Sequence, residues 1–191
     1  MATYRIFPST SGPGSAAGDT TSYTLGSEFY CTSTAVLLGY YWWCATGADT
    51  SSKAFQLWSV TTGTTGSAVS GSAVSSGTLT TGTWNYTALA TGVVLTSGQR
   101  YRASILGTSG ANWYSSTSSG FPSDLVNGLL TCPSTTNATG GIQSGYTVSA
   151  TQVYPQFSVG SNYWIDVLVS DPPSQPPPVV IGQAVGRAAN W

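Results

Sequence analysis

Residues 35–44 read Ala-Val-Leu-Leu-Gly-Tyr-Tyr-Trp-Trp-Cys, ten positions with no charge and four large aromatics in a row. Alternation along a strand sends Tyr40 and Trp42 to one face and Tyr41 and Trp43 to the other. A short apolar run also fits a helix by periodicity alone. Aromatic and β-branched enrichment, the interior Gly39 and the length of the run decide for a strand. Bulky apolar groups on both faces need cover on both sides, so this strand is predicted at the centre of a β-sandwich.

The sequence before it holds Thr3 to Phe7, a short predicted strand ended by Pro8, and a small-residue loop through Gly12-Pro13-Gly14. Tyr23 to Cys31 then alternates, with Tyr23, Leu25, Phe29 and Cys31 on one face. Beyond the central run, Lys53 to Val60 is a strand with Phe55 and Leu57 on one side and Trp58 and Val60 on the other. Thr61 to Gly82 is low in complexity and carries one weak strand. Further strands are expected at Trp84–Ala90, Val93–Leu95, Gln99–Leu106 and Asn112–Ser115, within Thr147–Phe157, and at Asn162–Val169. Ser123 to Gly128 has the cap and stop of one helical turn, and Pro133 to Gly145 reads as a long polar loop. Nine or ten short strands separated by turn signals predict an all-β fold, an antiparallel β-sandwich or jelly roll, over residues 1–170. Residues 171–178 are a proline-rich linker, stiff and extended. Residues 179–191 are apolar and too short to fold alone, and read as a docking peptide.

Charged residues are 6% of the 191, against about 25% in an ordinary domain. Disorder normally accompanies high charge and few aromatics, whereas here seven Trp and eleven Tyr bring aromatics to 12%. The surface must therefore be built from Ser, Thr, Gly and Asn, as in exported or particle-exposed β proteins. Net charge is −1 and the five basic residues are scattered, so no basic stripe exists to neutralise phosphates or attract an anionic membrane. No stretch approaches the 18 or so apolar residues of a membrane span. The Met1 start has no secretory signal pattern, and we read it as an intact N-terminus on a protein made in the cytosol. Cys31, Cys44 and Cys132 leave at least one thiol unpaired and read as three small apolar core residues.

The order of Leu25-Gly26 with Phe29, Leu38-Gly39-Tyr40-Tyr41-Trp42, Leu57-Trp58, Gly82-Thr83-Trp84, Val93 to Tyr101 with Gly98, and Asn162-Tyr163-Trp164-Ile165-Asp166-Val167 resembles a family of bacterial and phage β-sandwich domains of unknown function. The resemblance spans about Tyr4 to Val169 and implies a jelly-roll sandwich without catalytic residues to transfer. Cys44 stands where that family usually has a basic residue. Ile181-Gly-Gln-Ala with Val185-Gly-Arg-Ala is similar to short repeats in actinobacterial phage tail and head accessory proteins.

Chemistry is mostly missing. Without histidine there is no imidazole base, serine triad or usual zinc site. The six carboxylates occur in no recognisable pair or calcium-ligand spacing, so no enzyme, metal or cofactor is expected. Asp166, between Ile165 and Val167, reads as an outward polar position. Trp42, Trp58, Trp84 and Trp164 read as core. Trp113 and Tyr114 are the best candidates for stacking on a glycan, with packing in the core or a loop as their ordinary alternative. In the tail, Val179, Val180, Ile181, Arg187 and Trp191 are the expected partner-docking residues. The expected function is that of a non-enzymatic bacteriophage virion protein, a capsid decoration or minor head protein on the particle exterior. Its C-terminal arm would fasten it to a major capsid or tail protein, or to a copy of itself. The alternative is a carbohydrate-binding or host-surface adhesive module, as in a minor tail protein or a larger secreted protein.

Overall fold

Each long strand buries one of its faces, and the buried faces meet across a common core. The computed structural model describes residues 1–7, 12–16, 19–108, 112–118, 120–158 and 160–172. Along the first half run β1 (Thr3–Tyr4), β2 (Tyr23–Cys31), β3 (Ala35–Cys44), β4 (Ala54–Thr62), β5 (Thr65–Ala68), β6 (Val74–Ser75), β7 (Thr83–Leu95) and β8 (Arg100–Gly107). The second half adds β9 (Thr117–Ser118), β10 (Leu125–Asn127), β11 (Leu130–Cys132), β12 (Ser144–Val148), β13 (Phe157–Ser158), β14 (Ser161–Asn162) and β15 (Ile165–Ser170). The smaller sheet has the order β1-β15-β3-β7. The larger has the order β10-β11-β2-β8-β4-β5, with β12 also on β2, β13 on β12 and β6 on β4. These pairings are antiparallel, and the fold is the all-β sandwich of jelly-roll type that the alternation predicts.

The central run is β3, held between β15 and β7. Ala35, Leu37, Tyr40, Trp42 and Cys44 are all fully buried. Their parity changes between 37 and 40 because Leu38 is an extra residue, a β-bulge, against β15, while β7 carries residues 89–92 between the partners of Leu37 and Gly39. At the bulge, a Cβ on Gly39 would lie 2.3 Å from the Thr87 carbonyl oxygen, so only glycine lets the two backbones approach there. Opposite, Leu25, Phe29, Phe55, Leu57, Ala103 and Ile105 complete the core. The Tyr40 and Phe55 rings stack across the gap at 5.3 Å. The three cysteines are free and buried, and desolvation pushes the Cys31 thiol up to about 12.

Both outer faces are covered by irregular chain, and each cover is held by a buried carboxylate. On the smaller sheet only Thr3 and Tyr4 of the predicted first strand join the ladder. Arg5 to Phe7 instead cross the outside, with the Arg5 guanidinium 3.4 Å from the Tyr41 ring centroid. Phe7 lies among Trp84, Trp164 and Phe121. Asp166 is not the outward polar residue the alternation suggests. It is buried beneath this cover and accepts the backbone N–H groups of Ile6 and Phe7, each at 2.9 Å, and of Val167 at 2.7 Å, with Arg5 Nε at 3.4 Å. Burial pushes its carboxyl up, and those donors oppose the shift.

On the larger sheet Glu28 and Arg102 are directly opposite on β2 and β8 and both fully buried. Arg102 donates to Glu28 Oε2 (3.2 Å) and to the carbonyls of Gly63 (3.1 Å), Pro155 (2.6 Å) and Ile142 (2.5 Å). Glu28 Oε1 accepts from the N–H and hydroxyl of Thr139, both at 3.0 Å. The predicted polar loop after Pro133 is thereby fastened down rather than free. Two other expectations change. The helical turn at 123–128 is the β10–β11 hairpin, and Asn112 to Ser115 is a loop crossing the end of the core.

Arg102→Leu should cost about 3–5 kcal/mol in urea denaturation, because it leaves buried Glu28 with only Arg100, 3.6 Å away, and leaves three carbonyls without their donor. The double change Glu28→Gln, Arg102→Met should recover part of that loss. Equal loss in both would show that the charge pairing is not what matters.

Candidate functional site

The inner face of the larger sheet continues past the core at the end where β2 begins. Directly opposite residues of an antiparallel pair share a face, and Leu25 faces Tyr146 while Tyr23 faces Val148. Across the next ladder Tyr146 faces Phe157. Leu25 is buried in the core, whereas Tyr23 and Tyr146 are only half-buried. The opposing wall here comes from the segments on either side of β9 and β14, which supply Tyr114, Ser116, Ser161 and Tyr163. These seven residues enclose a pocket of ≈ 330 Å³.

Asp19 ties two of its tyrosines together. Its Oδ2 accepts the Tyr23 hydroxyl at 2.7 Å and the Tyr114 hydroxyl at 3.4 Å, and its Oδ1 accepts the Thr21 N–H at 2.8 Å. The Thr21 N–H and the Tyr23 hydroxyl hold the Asp19 carboxyl below its ordinary value. Reciprocally, the bond to Asp19 and then burial raise the Tyr23 phenol. Burial, with the Asp19 charge second, pushes Tyr114 up to about 12. The rings meet edge-on, Tyr23 with Tyr146 at 6.0 Å and Tyr114 with Tyr163 at 6.1 Å. The hydroxyls of Tyr146, Tyr163, Ser116 and Ser161 have no hydrogen-bond partner among the described residues. A second hollow of ≈ 360 Å³, beside Phe55, Gln56, Val74 and Gln152, has no comparable cluster of hydroxyls.

The two predicted stacking residues part company. Trp113 is fully buried and has no face to offer a glycan. Its indole packs on Trp42 at 6.2 Å and donates through Nε1 to the Thr21 carbonyl at 3.2 Å. A Cβ on Gly107 would lie 2.0 Å from this ring, so the glycine makes the seat. Tyr114, the next residue, lines the pocket. Trp42 is core as expected, but Trp58, Trp84 and Trp164 are half-buried on the outer faces of the sheets. Trp58, for example, bonds Ser104 Oγ at 2.7 Å and meets Tyr154 edge-on. Val179, Val180, Ile181, Arg187 and Trp191, with most of the proline linker, lie outside the described residues. As pocket residues Tyr23, Tyr146, Tyr163 and Asp19 go unmarked in the sequence, where Tyr23 reads as the core face of a strand, Tyr163 as part of a family motif and Asp19 as one of six scattered carboxylates. The spacing Asp19-Thr-Thr-Ser-Tyr23 carries one local signal, a carboxylate able to bond the chain two residues on. Among the described residues no cluster of acidic or thiol side chains is arranged to hold a metal ion.

Sheets, covers and pocket define an antiparallel β-sandwich domain with one aromatic, hydroxyl-lined hollow at a pole. The chain belongs to the family described as Domain of unknown function (DUF4082), whose profile matches residues 10–165. Neither the curated proteins nor the solved structures contain a match to it.

A raised phenol pKa contributes stability that is full below the unfolded value, about 10, and is lost as pH rises through the folded value. Ultraviolet titration should therefore show Tyr114 ionising near pH 12, with unfolding favoured over that alkaline window. Asp19→Asn removes the carboxylate and should lower the Tyr23 and Tyr114 values. An unchanged titration would show that Asp19 does not hold these rings.

Proposed function

We propose that this domain is a non-enzymatic attachment module that binds a neutral saccharide in the tyrosine pocket. The observation that carries the reading is the lining itself, tyrosine rings combined with four hydroxyls uncommitted among the described residues. A pyranose has apolar C–H faces and a rim of hydroxyls. Tyrosine offers an apolar body with a polar tip, and each free hydroxyl both donates and accepts. The volume lies at the lower end of the range for small-molecule sites, about 300–1,000 Å³. No cationic side chain lines it, which disfavours phosphates and carboxylates. Glycoside hydrolysis requires two carboxyls facing across the ligand. Here Asp19 bonds the wall tyrosines, while Glu28 and Asp166 are buried elsewhere under the covers.

A specific feature of the fold favours display on a particle. Ser170 pairs with Val36 and Thr3 beside the β2–β3 turn, whereas Tyr23 begins β2. The chain's continuation at Asp171 and the pocket are thus at opposite poles, about 26 Å apart along a nine-residue strand. One pole can be fastened while the other faces outward. With the tail's likeness to phage accessory proteins and the charge-poor composition, this supports a capsid decoration or minor head protein docked through residues 179–191. A unit of a larger secreted protein is the alternative setting for the same pocket.

Calorimetric titration of the full chain with glucose, galactose, N-acetylglucosamine and their short oligomers should show binding. Tyr163→Phe should weaken it about 3- to 10-fold through the lost hydroxyl. Silence across the panel would overturn the saccharide reading. A chain ending at Pro172 should fold normally and fail to incorporate into particles, and normal incorporation would refute the anchoring role.

A further inference from the structure

The pocket does not end at its tyrosines. Phe157 shares the face of Tyr146, with ring centroids 5.7 Å apart, and is 51% exposed. Val148 lies two residues along β12 from Tyr146, on the same face, and is 62% exposed. Few large apolar side chains stand this far into solvent on the domain, and these two share one sheet face with the wall of the hollow. The Phe157 ring, tilted at 48° to the Tyr146 ring of the pocket wall and half exposed, provides a second aromatic surface beside the pocket.

The geometry points to a site for a neutral oligosaccharide of at least two units, one held in the pocket and the next lying on Phe157. This rests on the saccharide reading of the pocket. A chain of sugars is the occupant because every one of its units carries both a hydroxyl rim, which the hollow can bond, and an apolar C–H face, which Phe157 can stack on. Neutrality follows from Asp19, whose carboxylate bonds two of the wall tyrosines and is held below its ordinary value by the Thr21 N–H and the Tyr23 hydroxyl. An acidic sugar seated there would meet that charge with no cation among the pocket-lining residues to offset it.

The test is calorimetric titration of the full chain with N-acetylglucosamine and glucose oligomers of one to four units, and with galacturonate oligomers of the same lengths. The wild type should gain about 2- to 10-fold in affinity from one unit to two, the increment expected of one aromatic contact. Phe157→Ala should lose that gain and bind the single unit as before, whereas Phe157→Trp should keep it. Because Phe157 is half exposed on a two-residue strand, these changes leave the core intact, and circular dichroism verifies it. Galacturonate oligomers should bind more weakly than neutral ones at every length. Affinity independent of length, or equal loss for single and multiple units in Phe157→Ala, would overturn this inference while the pocket reading stands; preference for galacturonate would overturn both. No binding by any neutral sugar of any length would overturn both.

Discussion

The indole of Trp42 lies against that of Trp113, and the pocket end of the domain depends on this contact. Trp42 comes from the central strand and Trp113 from a loop without regular structure. Two large rings burying one another in the core give that loop a fixed position that its backbone, lacking ladder bonds, could not provide. Tyr114 follows directly and is thereby aimed at Asp19, Tyr23 and Tyr163. The pocket wall is in this sense an extension of the core. Loss of the Trp113 ring would be felt twice, as a cavity and as a displaced pocket wall.

The same principle operates on the outside of each sheet. A sandwich whose strands are apolar on both faces cannot leave the outer faces bare, and this chain covers them with irregular segments rather than helices. Irregular backbone brings polar groups that must find partners once buried. Asp166 under the N-terminal segment and Glu28 with Arg102 under the segment after Pro133 supply them. The few charges of the chain are thus concentrated where backbone needs satisfying, which leaves a surface dominated by small polar side chains. Such a surface, with a net charge of −1, does not attract polyanions.

Fold and site were legible to different degrees. Residues 35–44, the alternation at Tyr23–Cys31 and the strand ending at Val169 sufficed for an antiparallel sandwich with the aromatic run at its centre. Alternation also separated Tyr40 and Trp42 from Tyr41 and Trp43 correctly. It failed at Asp166, since polar residues in a strand normally face water and nothing local announces a cover. It failed again with the tryptophans. Trp113 sits in a polar, irregular stretch that looks exposed, and Trp58, Trp84 and Trp164 sit in strands that look buried on both sides.

What the sequence determined alone is what depends on neighbours along the chain: side-chain alternation, turn chemistry, the scarcity of charge and the absence of histidine. These establish an all-β body without imidazole chemistry. What only the tertiary structure decided is which residues from distant segments converge. Asp19, Tyr23, Tyr114, Tyr146 and Tyr163 meet at one pole through strand register and one loop crossing, with the first and the last 144 positions apart. That convergence depends on the β2–β12 register and on the packing of two indoles. Those are properties of the folded chain, carried by contacts between segments rather than by any local pattern.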